Sequence, residues 1–459
     1  MMRKITLILL LIFVNTSLLA ISLEEAQKIA RQNNKNFLAT KANINQAKWN
    51  ELNALTNFFP KFSLDETVLR LDDNTYNMAN KTIYIPVLDA FGNSTGDQIP
   101  FSSGALSSGM YKTNYTTSLT IQQPIFNGGK IFLGYQISKL AKEQAILMSL
   151  SGKNNLDYSV AETYLNILKM NDVLEISEKS LASSQAQLKK VSQKFDLGMS
   201  KKSDKLQWQV KVENDKITLE EIKNSISVLK TVWKNLLSIK DDKLPLPEEI
   251  VLIQYNNEID KYASLSDSEK DNKLLDILTK TKNFNPGLKN LKITEMIAKK
   301  GHQIAKGNFL PSFNLQYSRQ FESDDKLDFD GETNWTIAAV ASFPIFQSGA
   351  NYTNLQKSKY ELNKVKFQLD DAREKILMGA ENSFYNLVTK SKKVVGNNLA
   401  LKNAKENHKI VNNLYEQGMV TNSELLDAEI MLFAGEMNLA VAYYDYILAK
   451  YNLDKFMKK

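Results

Sequence analysis

The sequence contains no cysteine. This absence excludes disulfide bonds, thiolate metal sites, a cysteine nucleophile and lipid attachment at an N-terminal cysteine. Proline and glycine are also scarce, with 9 and 18 residues among 459. Because proline interrupts helices, its scarcity favours long uninterrupted elements.

Long hydrophobic runs are missing as well, apart from one short run at the start. Arg3 and Lys4 precede apolar residues 5–14, and Ala20 offers a small side chain for cleavage. This pattern predicts a secretory signal peptide over residues 1–20 rather than a membrane anchor. No other run reaches about eighteen apolar residues, so any insertion into a membrane must use β-strands.

The charge pattern excludes further classes of function. The formal net charge is +7, and lysine and glutamate are interspersed along the predicted helices, which favours a solvated surface over a nucleic-acid-binding stripe. We find no phosphate-binding loop, nucleophile constellation or paired-carboxylate site, so we expect no enzyme activity, cofactor or metal site. His408 falls on a helix seam, where a polar register-setting residue is favoured over a metal or proton site.

The chain is an internal duplication. NFFPKFSL, at residues 57–64, recurs as NFLPSFNL at residues 308–315, a shift of 251. QPIFNGGK, at residues 123–130, recurs as FPIFQSGA at residues 343–350, a shift of 220 that continues through LGMSKKSD and QGMVTNSE. The two halves therefore differ by 31 residues (251 − 220), which we place in an enlarged, outward-facing loop over residues 72–112 of the first hairpin.

Each repeat contains a long stretch without proline. Residues 125–244 and 345–459 lack proline, and Leu174, Leu181, Leu188 and Phe195 recur every seven residues. This is coiled-coil spacing, and small residues at the interleaved positions indicate close packing. Residues 130–197 would form a helix about 100 Å long at 1.5 Å per residue. Gly198 and Gly418 lie where each long helix should reverse, before the helix-start residues Ser200 and Thr421.

The remaining segments alternate like strands. Apolar residues at positions 313–321 interleave with Asn314, Gln316 and Ser318, and residues 114–122 and 335–343 alternate similarly. About ten alternating residues suit a tilted transmembrane strand. Asp65 and Glu66 interrupt the alternation of the first strand, which predicts a bulge or an early exit from lipid there.

Strand number then bears on assembly. One chain supplies four strands, whereas the smallest membrane barrels have about eight, so the chain must self-associate to close a barrel. Two copies would give about eight strands and a filled interior, and three would give about twelve and room for a lumen. We therefore expect a homotrimer in contact with outer-membrane lipid.

These residues place domain boundaries along the chain. The signal peptide is followed by a first repeat over residues 21–240, with a β-hairpin at 60–123 and a helical tip near 198. An irregular linker over residues 241–271 forms a collar at the equator, and the second repeat spans residues 272–459, with a hairpin at 311–343 and a tip near 418. The predicted class is mainly α: long antiparallel coiled-coil helices plus two β-hairpins per protomer.

Nearly the whole mature chain resembles the TolC-like outer-membrane efflux family. The resemblance rests on both repeats, on the PIF-x-x-G return from strand to helix, and on YEQGMVTNSELLDAE at residues 415–429. It implies a trimer in the bacterial outer membrane, with a twelve-stranded barrel and a twelve-helix periplasmic tunnel that docks a periplasmic adaptor and an inner-membrane pump. Studied members carry an arginine near the second tip that helps to lock the tunnel, and here Val420 takes its place.

The tips supply the candidate binding residues. Gly198, Met199, Gly418 and Met419, flanked by Ser200 and Thr421, present turns with apolar side chains that could contact an adaptor. The alternative is that the glycines serve only to reverse the chain and that the methionines are packed.

The acidic residues near the tips are candidates for a periplasmic aperture. Asp204, Glu424 and Asp427 lie within about two turns of the tips, and a trimer would arrange each as a ring that favours cations, with Tyr415 narrowing the opening. The alternative is a solvated helix face paired with nearby lysines.

The sequence therefore predicts a passive exit duct of a tripartite efflux or type I secretion system. The main alternative is a non-conducting coiled-coil surface stalk, which would not need polar residues such as Asn314 and Gln316 on one strand face. A periplasmic adaptor would have one helical hairpin flanked by β domains, which the two repeats do not fit.

Overall fold

The computed structural model describes residues 20–79, 81–102, 112–239, 244–324, 326, 329 and 332–457. All but the last residue of the predicted signal peptide lies outside the described residues. The helices are, in chain order, α1 (Leu23–Asn33), α2 (Lys35–Thr56), α3 (Asp73–Ala79), α4 (Lys130–Asp196), α5 (Lys202–Leu237), α6 (Asn256–Ala263), α7 (Asp267–Phe284), α8 (Pro286–Gly307), α9 (Ala350–Glu416) and α10 (Asn422–Met457). None of the helices in the described ranges is both long and apolar enough to cross a membrane.

The described residues contain six strands. They are β1 (Lys61–Arg70), β2 (Thr82–Leu88), β3 (Ser94–Ser102), β4 (Thr113–Asn127), β5 (Ser312–Ser323) and β6 (Glu332–Ser342). Four of them form an antiparallel sheet in the order β1-β4-β5-β6, so the hairpins of the two repeats lie side by side. The sheet is part of one compact unit, the sheet unit, built from Ala47–Lys142 and Glu295–Val365. The described residues outside those two segments form a second unit, the helical unit.

The register of the sheet gives one face that is mainly apolar, apart from Glu66 and Arg319, and one that is mainly polar. Leu64 lies opposite Leu119, Ile121 opposite Tyr317, and Tyr317 opposite Ile337. Since side chains alternate between faces, these apolar pairs share one face across all four strands, while Gln316, Ser318 and their neighbours share the other. Many side chains of the apolar face are exposed in the chain, including Phe62, Leu64, Trp335 and Ile337.

The expected bulge in the first strand is wrong. β1 pairs with β4 in an unbroken register from Lys61 to Arg70, and the irregularity lies instead in β4, between Pro124 and Phe126. The carboxylate of Glu66 accepts a hydrogen bond from the buried hydroxyl of Thr117 directly opposite. This partner lets an acidic residue remain in a regular ladder.

The enlarged first loop has more structure than the sequence predicts. It contains α3 and a separate two-stranded sheet, β2 paired with β3. The sequence did not predict these strands, because the polar residues Asn93 and Ser94 and the nearby Gly96 are typical of a loop. They lie at and just after the turn between two short runs of residues that favour strands. The part of the loop over residues 103–111 lies outside the described residues.

Two glycines in the sheet unit permit a close backbone crossing. Gly128 follows the Pro124 irregularity at a φ of +68°, and a Cβ there would overlap the carbonyl oxygen of Gly307. The reverse also holds, since a Cβ on Gly307 would overlap the carbonyl of Gly128. The strands therefore join their helices through a contact that only glycine permits.

The helical unit is centred on large aromatic side chains. The rings of Tyr164 in α4 and Trp233 in α5 meet edge to face, 5.9 Å between centroids. The Tyr164 hydroxyl donates to the carbonyl of Glu248 at 2.8 Å, and the Trp233 indole donates to the carbonyl of Pro245 at 2.9 Å. These bonds attach the linker to the helices. The linker is less irregular than predicted, because a short 3-10 helix (Leu252–Tyr255), α6 and the start of α7 lie within it.

The predicted seam of small residues is buried. Ser177 and Ser184 of α4 are buried at the interleaved positions of the heptad pattern. In the second repeat, a Cβ on Gly435 of α10 would come 3.3 Å from Leu401 Cδ1 of α9. Such contacts show that small residues allow the helices to approach closely.

Candidate functional site: the two helical tips

Both long helices end in the same reversal. Gly198 and Gly418 each have a φ of +73°, in the left-handed region that favours glycine. The amide of Met199 donates to the carbonyl of Lys194 at 2.7 Å, and that of Met419 donates to the carbonyl of Leu414 at 2.9 Å. Together with the glycine amides, which donate to Phe195 and Tyr415, these bonds complete a Schellman closure at each tip.

The reversal leaves both methionines in solvent. Met199 is 74% exposed and Met419 is 69% exposed, since each follows a glycine that turns the chain away from the helix core. The tips therefore present a flexible apolar side chain at equivalent positions of both repeats. The glycines fix the turn, and the methionines are free to contact another surface.

The helices that return from the tips are capped differently. At the second tip, the Thr421 amide donates to the Glu424 carboxylate at 2.6 Å, and the Glu424 amide donates to the Thr421 hydroxyl at 3.3 Å, a complete capping box. At the first tip, Asp204 accepts from the Lys201 amide at 3.2 Å and from the Ser200 hydroxyl at 3.0 Å. Lys201, rather than Ser200, is the residue that precedes α5.

Two of the four predicted aperture residues are thus engaged at their own helix ends. The backbone amide of Thr421, and then its hydroxyl, hold the pKa of Glu424 below its usual range. Asp427 is exposed one turn further along α10. Asp204, Glu424 and Asp427 do not converge as a group among the described residues of one chain, so any ring they form requires further copies.

Tyr415 links the two tips. Lys194 of α4 lies over its ring, with Nζ 4.7 Å from the centroid, and the side chain packs in a small core with Val191, Trp208 and Leu425. Burial, with a smaller contribution from the Asp204 carboxylate, raises the pKa of Tyr415. Tyr415 is therefore near enough to Asp204 to respond to its charge.

Sequence reasoning missed the most buried contact of this region. Trp208 of α5 is fully buried, and its indole donates to the Asn422 side chain of α10 at 2.7 Å. Asn422 in turn donates to the Gln207 side chain at 2.8 Å, so the contact joins the two returning helices. A comparison of the two repeats could have drawn attention to Trp208. The shift of 220 maps Trp208 onto Ala428, a large change in side-chain size near the tips.

Metal ligation finds no support at the tips. Across the described ranges, no three His, Asp or Glu side chains converge in a way that could hold a metal ion.

Comparison with known proteins identifies the architecture. The family model described as outer membrane efflux protein matches residues 27–228 and 278–457, in both repeats. The chain belongs to the outer membrane efflux protein family. The family consists of channel proteins, and the chain is accordingly an outer-membrane protein with the TolC-like protomer fold, acting as an exit duct for efflux or type I secretion.

Individual relatives are distant in sequence but similar over most of the chain. The outer membrane protein TolC of Salmonella enteritidis is 20% identical over 382 residues, which is 80% of this chain and 74% of that protein. The outer membrane efflux protein BepC of Brucella suis is 20% identical over 396 residues, 84% of this chain and 79% of that protein. The CmeC outer membrane channel of Campylobacter jejuni superposes with a TM-score of 0.75 at 15% identity, covering 95% of this chain and 85% of that one.

Proposed function

We propose that three copies of this chain close one barrel in the outer membrane and one helical tunnel in the periplasm. The observation that supports this most directly is the four-stranded sheet, which has one exposed apolar face and whose outer strands β1 and β6 are paired on one side only within the described residues. An apolar sheet with free edges is unstable in lipid unless its edges pair with other copies. Three copies give about twelve strands and a lumen lined by the polar face.

The experiment that tests this proposal measures stoichiometry and conductance together. We expect native mass spectrometry of the purified protein to give the mass of three chains, and planar lipid bilayers to show single-channel steps. Tyr415→Ala, which removes a side chain that bridges the tips, should raise the fraction of time open. A trimer that inserts but never conducts, with or without this substitution, would show that the surface stalk is the correct alternative.

The exposed methionines lead to a proposal for the partners. Each of the two tips carries Met199 or Met419 in solvent, beside a glycine turn and the hydroxyl of Ser200 or Thr421. We assign these tips to a periplasmic adaptor, which would connect the duct to an inner-membrane pump. An adaptor that contacts both tips would bury six such methionines in a trimer, and unbranched side chains of this kind adapt to an uneven partner surface.

A charge at the tips should separate adaptor binding from folding. Met199→Asp and Met419→Asp should each abolish export in cells and pull-down of the cognate adaptor, because an unpaired carboxylate would be buried in the interface. Met78→Asp is the matched control, since Met78 is 79% exposed but lies in the loop of the sheet unit. Wild-type export by both tip variants would refute the adaptor assignment without affecting the duct.

The four aperture residues also remain a proposal. Threefold copies of Glu424 and Asp427 would place carboxylates around the periplasmic opening, with Asp204 and Tyr415 adjoining them. Their support is position, since all four lie within the last turns of the tips, and the contact of Tyr415 with the first tip.

A further inference from the structure

One carboxylate is buried where the four long helices meet near the tips. Glu429 lies in the second turn of α10 and is only 1% exposed. Neither of its carboxylate oxygens has a hydrogen-bond partner of normal geometry among the described residues. Burial of an ionised carboxylate without hydrogen bonds costs free energy. The packed helices are therefore destabilised at any pH at which Glu429 carries a charge.

Three other long helices contribute groups that act electrostatically on the Glu429 carboxylate. These groups are Ser183 of α4, Lys211 and Asp215 of α5, and His408 of α9. Lys211 is already committed, because it forms an ion pair with Asp215 four residues later and donates to the Ser180 hydroxyl at 3.2 Å. Asp215 therefore largely balances the charge of Lys211, which leaves Lys211 little able to stabilise an ionised Glu429. The Asp215 carboxylate also disfavours a second negative charge on Glu429.

Burial is the largest influence on the pKa of Glu429 and raises it, and Asp215 acts in the same direction. Ser183, His408 and Lys211 offset part of this effect. A neutral Glu429 fits the packed helices, whereas an ionised one gains hydration only if α10 moves away from α4 and α5. The packed arrangement therefore binds a proton more tightly than a separated arrangement does.

We propose that Glu429 is a proton-controlled latch, which holds α10 against the first helical hairpin when its carboxyl group is protonated and releases it when the group ionises. The link from latch to duct opening rests on the proposed function. A carboxyl group with a raised pKa stabilises the packed state fully below its ordinary value of 4.5, and this stabilisation is lost as the pH rises through the packed-state pKa. Opening of the duct is therefore favoured by higher pH.

The test compares Glu429→Gln with the wild type in two measurements at about pH 5 and about pH 8. In planar bilayers, the ratio of open to closed wild-type channels should rise at the higher pH, by at most about tenfold for each unit by which the pKa differs between the packed and separated states. The Glu429→Gln channel should show the same open probability at both values. Hydrogen exchange of peptides covering residues 422–430 should be slower in Glu429→Gln than in the wild type at the higher pH and equal at the lower pH.

Three further variants make the outcome decisive. Glu406→Gln removes an exposed carboxylate from α9 and should keep the wild-type pH dependence. Glu429→Met, which is neutral and similar in size, should behave like Glu429→Gln. His408→Gln should also keep the pH dependence, and loss of it there but not in Glu429→Gln would assign the proton to His408 and overturn the proposal.

The two measurements distinguish failure of the channel from failure of the latch. If no form of the protein conducts, the proposed closure of three copies into one channel fails, and hydrogen exchange still decides whether the latch exists. If the channel conducts and exchange in Glu429→Gln matches the wild type at both pH values, the latch is refuted and the duct stands.

Discussion

The two helical hairpins have the same backbone plan but are stabilised by different side chains. α4 and α9 each contain 67 residues, α5 and α10 each contain 36, and the glycines at both reversals have the same φ of +73°. The first returning helix nevertheless carries the buried Trp208, while the second carries a complete capping box and the buried Glu429. Duplication has therefore preserved the geometry of the tips and altered the interactions that stabilise them.

Trp208 should give the largest effect among substitutions that test this asymmetry. Trp208→Ala removes a fully buried side chain and leaves the Asn422 side-chain oxygen Oδ1 without its donor, so the tips should lose about 3–5 kcal/mol of stability. Hydrogen exchange at residues 202–215 and 422–430 would measure the loss. Trp49→Ala is the control, since Trp49 is 68% exposed. An effect confined to the first tip would mean that Trp208 does not join the two returning helices.

The reversal glycines test the shared geometry. Gly198→Ala and Gly418→Ala should each cost about 1–2 kcal/mol, because alanine is strained at a positive φ and neither position has a neighbour within 4 Å that would add a clash. Local hydrogen exchange at each tip would measure the cost. Gly301→Ala is a suitable control, since this helical glycine also has open space around it and a normal φ, and it should not destabilise the protein. Clearly unequal losses at the two tips would contradict their equivalence.

Local sequence patterns predict the elements of this fold but not the contacts between distant helices. The 220-residue shift, the proline-free spans and the strand alternation were sufficient to predict the four sheet strands and both reversals, because each depends on local periodicity or on one glycine. The contact of Trp208 with Asn422 depends on two helices that are distant in sequence, and no periodicity reports which seam residue meets which. The same limit applies to Glu429, whose burial is set by three other helices.

The acidic residues of the two tips should contribute unequally to ion selectivity. The shift of 220 maps Asp204 onto Glu424, but it maps Gln207 onto Asp427, so a trimer has twice as many of these carboxylates at the second tip. Replacing Glu424 and Asp427 by Ala should lower cation selectivity more than Asp204→Ala does, as reversal potentials in a salt gradient would show. Unchanged conductance and selectivity in the double variant would remove these residues from the aperture and leave them as a solvated helix face.

Capping should give the smallest and most local difference. Thr421→Ala removes the hydroxyl that accepts from the Glu424 amide and should cost about 1 kcal/mol. Ser200→Ala should cost less, because Ser200 only donates to Asp204 and is not the residue that caps α5. Hydrogen exchange in the first turn of each returning helix would measure both losses, and a larger loss in Ser200→Ala would reverse the assignment of the caps.

The same capping box should lose its stabilising effect on the second tip in acid, and this response is distinct from that of the Glu429 latch. Because the pKa of Glu424 is lowered from its ordinary value of 4.5, its contribution is present above that value and is lost as the pH falls through the folded-state pKa. Exchange in the first turn of α10 should therefore quicken only in strong acid, and Glu424→Gln should remove this response. Since protonation of Glu429 tightens the helices over a higher pH range, the two carboxylates of α10 should respond to acid in opposite directions, which distinguishes the cap from the latch in one titration.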